Sequence, residues 1–359
     1  MGRIRRRVTP GSGRSGGPDA VAMPGAFRWG LEAAACVASS GRGHAAPPAV
    51  GSAPLAIVSP ATPPQGSEDQ AWRWDESGWR GHVDRVRAGR SLKPPSWPRD
   101  AAVAVALSFD SDHETIPLRN GETQPGKLSQ GEYGSRVAVP RILALMARHE
   151  APVTFFVPAV SALLHPDDIT ACVAAGHEIA LHGWIHEWNT LLDRSDERDL
   201  LLRSIDVLER CSGTRPVGVR TPSWDFSEHT LDLIRESGLL YDSSLMADDE
   251  PYELLARGEP TGIVEVPVEW IRDDAPYLTM DRYTGTRPYT PPRELLRIWI
   301  DEFDAARADR GLFQLTMHPH VIGHRSRLIV LEQLMEHIVS SGDVWFARHD
   351  EIARHVISR

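Results

Sequence analysis

Residues 101–114 read Ala-Ala-Val-Ala-Val-Ala-Leu-Ser-Phe-Asp-Ser-Asp-His-Glu. Ala101 to Ser108 is an unbroken apolar run, the pattern of a strand buried on both faces in a parallel sheet. The run ends on acid. In extended backbone Asp110 and Asp112 stand at i and i+2 and point to one side. Two carboxylates closing a buried strand are costly unless they are paired, hydrogen-bonded or bound to a cation. Taken alone, the segment also reads as a solvated acidic turn.

Downstream the same unit recurs in type but not in sequence. Strands are predicted at Val153–Val157, Glu178–Leu181, Val217–Arg220, Tyr241–Leu245, Ile263–Glu269, Leu312–Met317 and Val344–Ala347. Between them the apolar residues fall at helical spacing over Arg141–His149, Ser161–Ala175, Asp196–Arg210, Glu228–Glu236, Pro292–Arg310 and Arg327–Ser340. Strands alternating with helices imply an α/β fold on a parallel sheet, and about seven units suggest a closed or nearly closed barrel. An open doubly wound sheet is the alternative, weakened because no glycine-rich phosphate turn follows any strand.

Upstream the composition changes. Residues 1–66 contain 11 glycines and 9 prolines, too little apolar surface to offset ordering entropy, so a disordered extension is expected there. Residues 67–98 hold Trp72, Trp74, Trp79 and Trp97, read as an arm packing on the barrel of residues 99–359 or across a dimer contact. A net charge of −10 argues against a nucleic-acid surface. No apolar stretch reaches the roughly 20 residues that a membrane span needs. Three cysteines, Cys36, Cys172 and Cys211, form neither a disulfide framework nor a thiolate metal site. A cytoplasmic homo-oligomer is expected, with export by the arginine-rich N-terminus as the alternative.

Three further strand ends carry chemistry. His182-Gly183-Trp184-Ile185-His186-Glu187 places two imidazoles at i and i+4, one helical turn apart, where both can reach one metal. Arg220-Thr221-Pro222-Ser223-Trp224 offers a guanidinium that can clamp a carboxylate, and an indole that can line a pocket. His318 follows the strand Leu312–Met317, and read alone it is a structural histidine. His320 and His324 follow it with no role beyond the loop, and Glu114 is assigned to substrate binding or to solvent.

In this order the motifs resemble the polysaccharide deacetylase superfamily, the NodB-homology fold of carbohydrate esterase family 4. The likeness covers roughly residues 95–355. It is closest to the branch with the Helicobacter-type peptidoglycan deacetylase, the cyclic imide hydrolases and the allantoinases. The signs are Asp110-x-Asp112, the segment 182–187, Trp224-Asp225-Phe226-Ser227, Tyr241-Asp242-Ser243-Ser244-Leu245-Met246 and Val264-Glu265-Val266-Pro267. The resemblance implies a deformed (β/α)7 barrel of the glycoside hydrolase/deacetylase type around one divalent metal, usually Zn2+. It implies Asp112, His182 and His186 as metal ligands, Asp110 as catalytic base and Arg220 orienting that base. It also implies Trp224 as a pocket wall and His318 as general acid, tethered by Asp242.

Two departures shift the expected substrate. Ser111 separates the aspartates, and Gly183 stands where the glycan enzymes carry Ser or Thr; both fit the cyclic-amide branch. The expected activity is therefore metal-dependent hydrolysis of a non-peptide C–N bond in a small cyclic amide, imide or ureide. An N-acetyl glycan deacetylase and an inactive carbohydrate-binding barrel are the alternatives.

Overall fold

The computed structural model describes residues 70–279 and 289–358; the extension expected at 1–66 lies outside them. Ten strands follow in chain order. They are β1 (Val86–Ser91), β2 (Val103–Asp110), β3 (Thr154–Val157), β4 (Glu178–Leu181), β5 (Gly218–Val219), β6 (Tyr241–Asp242), β7 (Tyr252–Ala256), β8 (Glu259–Glu265), β9 (Leu312–Met317) and β10 (Val344–Phe346). Pairing runs β1-β7-β8-β6-β5-β4-β3-β2, with β9 and β10 both on β2. Seven of these, β9, β2, β3, β4, β5, β6 and β8, form a curled parallel array. A lone bridge between Asp273 and Thr316 joins the chain beyond β8 to β9.

The central strand is β2. All eight of its residues are buried, as are all six of β9, which explains why both read as continuous apolar runs. Three parallel neighbours share β2: β9 along Ala104–Phe109, β10 at Val103–Val105 and β3 at Ser108–Asp110. Its last residue is thereby fixed at the carboxyl edge of the sheet, where parallel α/β folds build their sites.

The helices bury one stripe each. Val139–Arg148 turns Val139, Ile142, Leu145 and Met146 inward, the spacing of an amphipathic helix. The single helix expected over Ser161–Ala175 is two, Ala159–Leu164 and Pro166–Ala174. Pro166 has no N–H and excludes the α conformation from His165, so the chain bends there. Two strands escaped the sequence pattern. β1 and β7 are an antiparallel pair outside the barrel, and β7 turns into β8 through Arg257-Gly258, both at positive φ. Such a two-residue turn matches the twist of a hairpin. Of the four upstream tryptophans, Trp97 is buried against Trp345 and His355 and donates its indole N–H to Arg310 O at 3.1 Å. Trp72 and Trp79 are exposed.

Candidate metal centre

Asp110 ends β2, and Asp112 lies two residues on, fully buried. Neither carboxylate oxygen of Asp112 accepts a hydrogen bond. Around them stand three imidazoles: His182 Nε2 at 3.4 Å and His186 Nε2 at 3.6 Å from Oδ1, and His318 Nε2 at 3.7 Å from Oδ2. Burial alone would raise the Asp112 carboxyl, but His186, His182 and His318 hold it far below the usual carboxylate range. A buried, ionised carboxylate with no N–H donor, facing imidazole nitrogens, is the donor set of a cation site.

The orientation of His182 is set from behind. Its Nδ1 donates to Arg220 O at 2.8 Å, which leaves the Nε2 lone pair directed at Asp112. Ligand atoms of Asp112, His182 and His186 all lie within 4.8 Å of one another. Three N/O donors from the protein suit a catalytic zinc, which keeps positions open. Asp112, His182 and His186 therefore fit the expected divalent ion.

The two histidines do not sit on a helical turn, as their spacing suggested. They lie in a loop after β4, with Gly183 at φ +74° and His186 at φ +63°. Glu187 holds the loop by accepting from Trp184 N at 2.9 Å and Ile185 N at 2.7 Å. At Gly183 a Cβ would stand 2.7 Å from Pro222 Cγ, so both the backbone angle and the packing demand glycine. Behind His186, Arg119 donates to its carbonyl at 2.6 Å and faces Nδ1 at 2.8 Å. Burial lowers the His186 imidazole to about 3, with Asp112 opposing and His182 and Arg119 adding to the shift. That shift favours the unprotonated ring that binding a metal would require.

Arg220 lies wholly out of solvent at the end of β5. Its Nη1 donates to Asp110 Oδ1 at 2.7 Å and to Ser108 Oγ at 2.8 Å, while Nε and Nη2 bind Ser243 O and Oγ, each at 2.9 Å. The guanidinium also lies 4.0 Å over the Phe156 ring. A buried cation is tolerated only when satisfied in this way. Asp110 Oδ2 stays on the metal side, 3.7 Å from His182 Nε2.

His318 needs a correction. Its tether is Asp274, not Asp242: Nδ1 meets Asp274 Oδ1 at 2.7 Å, and Asp273 Oδ1 stands at 3.8 Å. Asp242 is engaged elsewhere. The β6–β8 register sets it beside Glu265, and its oxygens accept from Ser244 N and Oγ at 3.0 and 2.9 Å. Burial pushes the His318 imidazole down, but Asp274 and Asp273 outweigh it and raise it well above its ordinary value.

Two other expected site residues are committed to protein contacts. Glu114 Oε2 is bound by His165 Nε2 at 2.8 Å. Burial opposes this, yet the hydrogen bond keeps its carboxyl below the usual range. Trp224 is buried against Trp270, ring centres 4.0 Å apart, and of the two Trp270 reaches solvent. Sequence reasoning missed Arg119, Asp273 and Asp274. The adjacent aspartates were visible, but the bridge that carries them to β9 is not written in any periodicity.

The curled parallel sheet and its Asp/His/His edge define a class. A family model described as Polysaccharide deacetylase matches residues 127–241. A Mycobacterium smegmatis structure described as a polysaccharide deacetylase is 37% identical with a TM-score of 0.69, over 76% of this chain and 96% of that one. The chain belongs to the polysaccharide deacetylase family. It is 29% identical to the peptidoglycan deacetylase of Helicobacter pylori, over 73% of this chain and 98% of that protein. The structure of Puue allantoinase is 30% identical with a TM-score of 0.63, over 73% and 93%. The protein is accordingly a hydrolase of non-peptide carbon–nitrogen bonds.

Proposed function

We propose that the protein is a divalent-metal-dependent amidohydrolase acting on a small cyclic amide, imide or ureide. The observation that carries this reading is burial. Asp110, Asp112, His182 and His186 are each at most 3% exposed and flank His318 at the same sheet edge, a site suited to a compact ligand rather than an open polymer groove. The likeness to an allantoinase supports it; the peptidoglycan deacetylase likeness favours the second reading, an N-acetyl glycan deacetylase. An inactive barrel is disfavoured, because Asp110, Asp112, His182, His186 and His318 converge at one sheet edge.

Asp112, His182 and His186 would hold the ion. When bound, a divalent cation there supplies Lewis-acid polarisation of a carbonyl and acidifies water. Asp110, oriented through Oδ1 by Arg220, uses Oδ2 to take the proton of the attacking water. His318, protonated and positioned by Asp274, delivers a proton to the departing nitrogen, so that the C–N bond breaks to an amine and not an amide anion.

The test is a substrate panel on purified protein with its metal content measured. Hydantoin, succinimide and allantoin are run against chitooligosaccharide and peptidoglycan, with and without chelator. About one zinc per chain, lost in His182→Ala, and chelator-sensitive turnover of a cyclic amide are expected. Turnover of the glycans alone would move the assignment to the second reading, and full activity without metal would sink the ligand assignment.

A further inference from the structure

Beyond the metal centre, a cavity of about 780 Å³ opens at the start of helix Arg325–Ser340. Among its walls are Tyr133, Arg141, Tyr289, His324, Arg325 and Arg327, and none of its described lining residues is acidic. Three guanidiniums around one cavity stand out in a chain of net charge −10.

Their hydrogen-bonding leaves much unused. Arg141 spends only Nη1, on Tyr133 Oη at 3.0 Å and Gly323 O at 3.3 Å. Arg327 spends Nη1 on Val321 O at 2.9 Å, and its guanidinium lies 4.8 Å over the Tyr289 ring. Arg325 makes no described side-chain bond. Each guanidinium has five N–H donors in a planar fork, so the Nε–Nη2 edges of Arg141 and Arg327 and the whole of Arg325 are available to a bidentate oxyanion. Tyr133 and His324 stack in parallel, ring centres 4.0 Å apart, as a flat wall. Arg325 and Arg327 also occupy the first turn of helix Arg325–Ser340, which holds no acid. Cations at that end oppose the helix dipole, so helix stability does not account for them.

The cavity wall includes His324, six residues beyond the proposed acid His318. His318 and His324 flank the short helix Pro319–Ile322. Arg327 is also near enough to Asp274, the partner of His318, to act on its carboxyl. We propose that this cavity is an oxyanion subsite that receives a carboxylate carried by the amide substrate, by bidentate pairing with Arg141, Arg325 and Arg327. Carboxylated ureides and sugar acids share this chemistry. The inference rests on the amidohydrolase reading above.

Two substrate pairs separate the sources: hydantoin-5-acetate against hydantoin, and N-acetylmuramate against N-acetylglucosamine. In the zinc-loaded wild type the acid of the productive pair should exceed its neutral partner at least tenfold in kcat/KM, through KM. The Arg325→Gln/Arg327→Gln variant should bring that ratio close to one. A ratio near one in the wild type, or one kept by the variant, overturns the subsite. Calorimetric titration with sulfate reads the cavity without turnover: wild type binds, the variant does not, and equal binding overturns the proposal. Should none of the four compounds react, the amidohydrolase reading fails while sulfate still decides the subsite. Arg325→Gln alone, at an exposed position, serves if the double variant unfolds.

Discussion

In the proposed mechanism His318 is a base made into an acid by two neighbours. Asp274 binds its Nδ1 and Asp273 stands close behind, and together they overcome the burial that would strip its proton. Asp274→Asn removes the larger of these attractions, so the imidazole should fall towards its ordinary value. The alkaline limb of the pH–rate profile should then move to lower pH, with turnover at pH 8 reduced by about 10²-fold, the scale of general-acid help. An unshifted limb in a variant of normal fold would remove His318 from the acid role. Arg220 is legible in the sequence as a strand-end arginine, and its hydrogen bonds to Ser108, Asp110 and Ser243 show why it is there. The Asp274 partnership was not legible. Asp242 stood at a strand end and looked suitable, yet its register beside Glu265 commits it to that pair.

At the scale of elements, the loop after β4 brings the two histidines of a weak motif together as candidate ligands. Spacing alone suggested a helical turn for His182 and His186; backbone angles of +74° at Gly183 and +63° at His186 make it a loop instead. Gly183→Ala sets a left-handed penalty of roughly 1–2 kcal/mol on top of a 2.7 Å approach to Pro222. It should lower zinc occupancy, measured by metal analysis after dialysis, more than it lowers the melting temperature. Retention of a full zinc equivalent would show that the loop does not set the ligand geometry. Continuous strands such as Leu312–Met317 were read from sequence to the residue, because burial on both faces leaves an uninterrupted apolar signature. β1 and β7 were not: none of Val86–Ser91 is fully buried, Val86 is its one large apolar residue, and the strand gains its order by pairing with β7, from a distant part of the chain.

For the whole molecule, several buried histidines are held neutral by the fold. Burial drives His113 to about 3 and His320 to about 4, and lowers His349 as well. Below about pH 6.5, the ordinary histidine value, the unfolded chain takes up protons that the native chain refuses, so stability falls as pH falls towards those depressed values. Each such histidine contributes about 1.4 kcal/mol per pH unit within that window. Denaturant midpoints should therefore drop from pH 7 to pH 5, and a flat profile would mean that these imidazoles are accessible in the native state. Local pattern along the chain was enough for the alternation of buried strands with helices, the strand-end order of Asp110, Asp112, His182, His186, Arg220 and His318, and hence the family. Local periodicity and residue chemistry are carried by neighbours in the chain. Folding in three dimensions brings Asp274 to His318, Asp242 beside Glu265, and Arg141 to one cavity with Arg325 and Arg327. Those pairings join residues far apart in sequence, and they depend on strand register and the curl of the sheet.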